Sequence, residues 1–310
     1  MNRPIFWVNN LNKGEWVYRA CASALSQTIP CNILFTDAHS SDNSLDEMLR
    51  AIEESPRGAD HNVVLWRDPL LRVSTFQSFS EHWMHVVLNI AKEKYPESEW
   101  ILQCSSDDIS LPDRAKVCME AVKHNPCSAI ATTMFFADPL QAVDIMSSKP
   151  VQVPVSGFPV QTGYVNAGEG LQRLGYGSVI AGYSRKFLEK VGGFNVTPDV
   201  FYGFLAALDE GFYVVANPQH IHIQHAKESN LGFGGKLLAA SGDELARLNE
   251  LNQFQLYRTY FATMQRAAEV YGSIKQDDLN GLYSMMLNHG MGWYQARENL
   301  HRYHITPGIL

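Results

Sequence analysis

Ile101-Leu102-Gln103-Cys104-Ser105-Ser106-Asp107-Asp108-Ile109-Ser110-Leu111-Pro112 is the stretch that decides how this chain reads. The apolar run Trp100-Ile101-Leu102 is expected to be a buried strand. It delivers two adjacent carboxylates at its end, and Pro112 then opens a helix beginning Asp113-Arg114-Ala115-Lys116-Val117. Neighbouring acids at a strand end repel each other, and a divalent cation relieves that repulsion. Mg²⁺ or Mn²⁺ held by one or two carboxylates and by diphosphate oxygens is a common arrangement. Acids that precede a helix also serve as caps, so capping stands beside the cation reading.

Working outward, short apolar runs alternate with helical periodicity. Pro4 to Val8 reads as a strand, Trp16 to Leu25 as a helix stopped before Pro30, and Asn32 to Thr36 as a second strand ending at Asp37. Leu45 to Glu54 is a helix, Val63 to Trp66 a third strand, and Phe76 to Lys94 a long amphipathic helix. Such alternation implies right-handed parallel crossovers, with ligands gathering beyond the carboxyl ends of the strands. Asp37 and the Asp107-Asp108 pair both sit at such ends. Ser128 to Phe136 is a further strand, and 138–170 has no clear period and reads as a long loop or hairpin. Gly177 to Tyr183 returns as a strand and Arg185 to Val191 as a helix broken by Gly192-Gly193. Phe201 to Leu208 is a helix, and Phe212 to Ala216 and His220 to Gln224 are two strands. Beyond Gly235 the pattern is nearly all helical.

Composition bounds the function. The chain has 310 residues, 45% hydrophobic and 18% charged, enough for one large domain or for a domain with an appendage. A formal charge of −7 argues against a broad nucleic-acid-binding face while leaving room for a local phosphate pocket. The five cysteines form no Cys-x-x-Cys pair, which points to reduced thiols and a cytoplasmic setting. No apolar run reaches the length that spans a bilayer.

Three blocks together resemble the family-2 glycosyltransferases with the GT-A nucleotide-diphospho-sugar fold. Ser23-Ala24-Leu25-Ser26-Gln27-Thr28 followed by Asn32 to Asp37 and Ala38-His39-Ser40-Ser41-Asp42 is similar to a helix ending in Ser-x-x-x-Gln-Thr, a strand, and Asp-Asp-Gly-Ser-x-Asp. Ser105 to Arg114 is similar to Asp-x-Asp-Asp-x-x-x-Pro-x-Arg, and Gly192-Gly193-Phe194-Asn195 to the stretch before the acceptor-side acid. The resemblance runs from about Ile5 to Leu231. It implies an α/β GT-A fold, a Rossmann-like mixed sheet flanked by helices, over 1–234, with a helical C-terminal extension over 235–310.

The activity implied is inverting, metal-dependent transfer of a sugar from a nucleotide-diphosphate donor, most often a UDP-sugar, to an acceptor hydroxyl. The acceptor would be a glycan, a lipid-linked glycan, a protein, a small molecule or a modified nucleobase. The resemblance makes Asp199 the general base, with Asp209 and Glu210 as neighbouring alternatives that also read as a solvated helix end. It puts Asp37 on the nucleobase, Ser105, Asp108 and Lys227 on the donor, and Asp107 with His225 on Mn²⁺ or Mg²⁺. Asp37 reads equally as the start of a polar turn, and His220-Ile221-His222 as an ordinary half-exposed strand or a metal pair. Two positions depart from the pattern, Ser105 and Ala38, each replacing an acid. They keep open a sugar-nucleotide-binding subunit without catalysis. A nucleotidyltransferase of the same fold is the other alternative, though Asn9 to Gly14 is a poor version of its Gly-rich basic loop. The tail's apolar stripes, Tyr257, Tyr260, Phe261 and Met264 and then Leu282, Met285, Met286 and Leu287, imply packing on the acceptor side of the core or in a homodimer.

Overall fold

A computed structural model of the chain describes residues 2–68, 76–137, 162–165, 167, 181–192, 198–223 and 242–283. The first half alternates as its periodicity predicts. β1 (Ile5–Asn10), α1 (Val17–Leu25), β2 (Asn32–Asp37), α2 (Ser44–Glu54), β3 (Asn62–Arg67), α3 (Phe76–Lys94) and β4 (Trp100–Ser105) follow one another. The short β5 (Ile109–Ser110), α4 (Arg114–His124), β6 (Ala129–Ala137), β7 (Gly163–Val165) and β8 (Gly182–Ser184) come next. α5 (Arg185–Val191), α6 (Pro198–Leu208), β9 (Phe212–Ile223) and α7 (Gly242–Tyr271) follow, and a 3-10 turn, Gly58–Asp60, leads into β3.

The strands form one mixed sheet in the order β3-β2-β1-β4-β8-β6-β9-β5, with β7 also paired to β9. β3, β2, β1 and β4 are parallel, so Asn10, Asp37 and Ser105 emerge at one edge. β8 runs antiparallel between β4 and β6, and this returns β6 and β9 to the direction of β4.

Both faces of the sheet are covered. Along β1, Ile5 and Trp7 join the apolar cluster that includes Val87, Phe187, Phe201, Phe204 and Leu205, whereas Phe6 and Val8 join Val17, Leu25, Met48 and Met119 on the other face. A strand buried on both faces reads as an unbroken apolar run, which is why β1 and β2 lack period-two alternation. α7 packs its last turns onto the first of these clusters. Ala267 is fully buried, and the Tyr271 hydroxyl donates to the Leu205 carbonyl at 3.3 Å. Of the tail stripe, Tyr260 and Met264 pack against that cluster, but Phe261 is exposed.

Three sequence expectations need correction. β4 ends at Ser105 rather than at the carboxylates, because Asp107 and Asp108 occupy a turn closed by the Asp108 N–H on the Ser105 carbonyl, 3.2 Å. β5 then intervenes before α4, whose N-cap is Asp113, so neither acid caps that helix. The two strands expected over 212–224 are one, β9. Its pairing with β6 jumps from Thr132↔Val215 to Met134↔His220, so the residues from Ala216 to Gln219 bulge opposite Thr133. Of 138–180, only Thr162, β7 and Ala167 are among the described residues.

Candidate active site

The two motif blocks of the sequence are one hydrogen-bonded unit. The Gln27 side chain donates to the Ser23 and Leu111 carbonyls at 3.1 and 2.9 Å and accepts from the Ala115 N–H at 2.8 Å. Ser23 Oγ accepts from the Ser110 N–H, and the Thr28 N–H donates to the Pro112 carbonyl. Arg114, almost wholly buried, donates to Ser110 Oγ at 2.8 Å and to the Gln103 carbonyl at 2.5 Å, with its guanidinium over the Phe6 ring. Together these contacts clamp the ends of the Ser105–Ser110 turn, so the position of its carboxylates is fixed from outside the turn itself.

The adjacent acids face different surroundings. Asp108 is buried, and one oxygen lies 3.1 Å from His220 Nε2 while the other lies 3.0 Å from His222 Nδ1 and accepts from the Ile223 N–H at 3.3 Å. Burial alone would raise its pKa, but the charge and hydrogen bonds of His222 and His220 outweigh that and hold the carboxyl well below the usual carboxylate range. Burial pushes the His220 imidazole down to about 4, against the upward pull of Asp108. The neutral ring therefore donates from Nε2, and its Nδ1 is a buried atom without a partner among the described residues. The His-x-His pair of β9 thus serves Asp108.

Asp107 points elsewhere. Its Oδ2 meets the Lys13 ammonium at 2.6 Å, with the two side chains 20% and 8% exposed. Lys13 comes from the loop after β1, a region in which sequence reasoning found only a poor phosphate loop. That loop is pinned along its length. Asn12 N–H donates to Ser40 Oγ, Lys13 N–H to Ser44 Oγ and Gly14 N–H to Asp42 Oδ2, at 2.9, 3.1 and 2.9 Å. Asn12 takes a left-handed φ of 52° there. Ser40, Asp42 and Ser44 thus hold the loop that carries Lys13.

Asp37 has no exposed surface. Its Oδ1 accepts from Asn10 Nδ2 at 2.9 Å and from the Ser40 hydroxyl, and its Oδ2 from the Ser40 N–H at 3.0 Å and Arg67 Nε at 3.2 Å. It is the hub of the polar turn. Arg67 also donates to the Ser40 carbonyl, and the Asn10 amide oxygen is a buried acceptor without a partner among the described residues. Ser105 is half-buried at the end of β4, and Ala38 is buried in the core cluster.

The structure brings Asp37, Ser105, Asp107 and Asp108 to one edge of the sheet. Asp209 goes to the opposite edge, where it pairs with Lys190 and accepts from Ser128 Oγ beside the starts of β6 and β9. Asp199 lies in the first turn of α6, about 14 Å along the helix axis from Leu208. Its side chain, together with His225 and Lys227, is outside the described residues.

Solved structures share this fold. S. aureus TarS residues 1–349 in complex with UDP-GlcNAc aligns with a TM-score of 0.53 at 13% identity, over 97% of this chain and 92% of that one. The fold is GT-A. A further structure of S. aureus TarS residues 1–349 aligns at 0.50 and 12% identity, over 97% and 91% of the two chains. The longer TarS structure aligns at 0.52 and 13% identity over 96% of this chain, which spans 55% of its length. No protein-family model and no curated protein matches the chain in sequence. No helix among the described residues is long and apolar enough to cross a membrane.

Proposed function

We propose that this chain transfers a sugar from a nucleoside-diphosphate donor to an acceptor hydroxyl with inversion. The observation that carries the reading is the Lys13–Asp107 pair beside the Asp37 hub, at the carboxyl edge of a GT-A sheet. The similar TarS fragment was solved in complex with UDP-GlcNAc, which supports a UDP-sugar as donor. In the proposed step the acceptor oxygen attacks the anomeric carbon from the face opposite the diphosphate. The bond from that carbon to the phosphate oxygen breaks, the nucleoside diphosphate departs with the electron pair, and Asp199 takes the hydroxyl proton. Asp37 holds Asn10 and Arg67 for the nucleoside, Ser105 offers a hydroxyl to the ribose, and Asp107 holds the cation that faces the diphosphate. Asp108 acts by fixing β9 against that turn.

The resemblance implies Mn²⁺ or Mg²⁺ as that cation. Bound there, it would stabilise the leaving group as a Lewis acid. The described residues fit it poorly. Both Asp108 oxygens are taken, Ser105 brings no charge, and Asp107 already carries an ammonium. Among the described residues no group of three His, Cys, Asp or Glu side chains is arranged for a metal.

Nucleotide binding tests the reading. UDP, GDP, ADP and CDP are each added to the protein and unfolding is followed thermally, since a ligand bound only by the folded state raises Tm. UDP is expected to give the largest shift. No shift with any of the four would refute the reading. Release of pyrophosphate from a nucleoside triphosphate and a sugar phosphate would instead assign the nucleotidyltransferase alternative.

A further inference from the structure

We infer that the Lys13 ammonium is itself the cation of the donor site, so that a nucleoside diphosphate binds here without a divalent metal. The inference rests on the proposed sugar transfer and says which charge that site uses. A lysine only 8% exposed is rare unless paired, because an ammonium gives up strong hydration on burial. A salt bridge this far from water gains little net stability, because the desolvation of both charges offsets their attraction. This one joins residues 94 apart in sequence and closes the gap between the β1 loop and the β4 turn.

Both arms are held independently of the pair. The Lys13 backbone is fixed by Ser44, and its carbonyl accepts from the Trp16 and Val17 N–H groups. The Asp107 turn is clamped by Gln27 and Arg114. The ammonium is thus placed where the strand-end carboxylate would place a metal ion. An ammonium has three N–H donors. One serves Asp107, and the others meet no acceptor among the described residues and can serve phosphate oxygens, so carboxylate, ammonium and diphosphate would follow one another as carboxylate, metal and diphosphate do. Arg67, anchored on Asp37 at the same edge, adds a second fixed positive charge.

Calorimetry of UDP and GDP binding to the full chain, in EDTA and again in Mn²⁺, tests the inference. Wild-type Kd for the better nucleotide is expected to agree within about tenfold between the two conditions. Lys13→Met should weaken binding in EDTA by more than about tenfold, and Lys13→Arg should retain most of it. A wild-type protein that binds only in Mn²⁺ overturns the inference but leaves the sugar-transfer reading standing. Binding in neither condition overturns both. Unchanged affinity of Lys13→Met in EDTA also overturns it. Should that variant fail to fold, the wild-type comparison decides alone.

Discussion

Replacing each of two neighbouring aspartates by alanine should have very different effects on folding. Asp108→Ala removes the acceptor of the Ile223 N–H and the partner of His220 and His222, at 3.3, 3.1 and 3.0 Å. Ile223 and His220 are buried, whereas the His222 side chain is 26% exposed and recovers water. Two buried donors left unmet at about 2 kcal/mol each give a loss of about 4 kcal/mol, within the usual cost of breaking a buried charged cluster. Asp108→Asn should cost about 1–2 kcal/mol, because the amide oxygen still accepts while its NH₂ forces His220 into the other tautomer. Asp107→Ala strands one ammonium that is 8% exposed, beside a site that is 20% exposed and admits some water, and should cost about 2 kcal/mol. Urea unfolding followed by tryptophan fluorescence measures all three. Equal losses for Asp107→Ala and Asp108→Ala would refute the division of labour, and so would an Asp108→Ala loss below about 1 kcal/mol.

Stability should fall on acidification. His220 takes a proton near pH 4 in the folded chain and near 6.5 when unfolded, so between those values the unfolded state binds the extra proton. Stability is therefore lost as pH drops through that window, by up to about 1.4 kcal/mol per unit. The lowered Asp108 adds a loss of the same sign below about pH 4, and His222 and Arg114 are the other charges facing the ring. A urea midpoint unchanged between pH 7 and 5 contradicts this, while His220→Gln should flatten the profile. Gly182, paired with Leu102 on β4 and Ile130 on β6, has no room for a side chain, since a Cβ there would overlap the Leu102 methyl. Gly182→Ala should destabilise by about 1–3 kcal/mol in the same assay. Full stability would show that the β4–β8 contact yields easily.

The parallel half of the fold was legible because buried strands and amphipathic helices carry their own periods. Pro4 to Val8, Asn32 to Thr36 and Phe76 to Lys94 announced themselves within a few residues of the observed ends. β9 was less legible, since its bulge at Ala216-Asn217-Pro218-Gln219 resembles a loop until its pairing with β6 is seen. The carboxylates were found by position, but their separate roles were not. Nothing local distinguishes Asp107 from Asp108. The difference comes from β9, more than a hundred residues away, which brings the two histidines to Asp108. Lys13 was missed for the same reason: its partner is 94 residues distant, and a lysine in a polar loop otherwise reads as solvated.

The most direct test of the account is consumption of a nucleoside-diphosphate sugar. The full chain is incubated with UDP-GlcNAc and a panel of other UDP- and GDP-sugars, and release of the free nucleoside diphosphate is followed with and without a mixture of acceptors. The account predicts turnover of at least one donor, and a fall of about two to four orders of magnitude in Asp199→Asn with nucleotide affinity retained. Failure of the wild-type protein to release nucleoside diphosphate from any donor would contradict it.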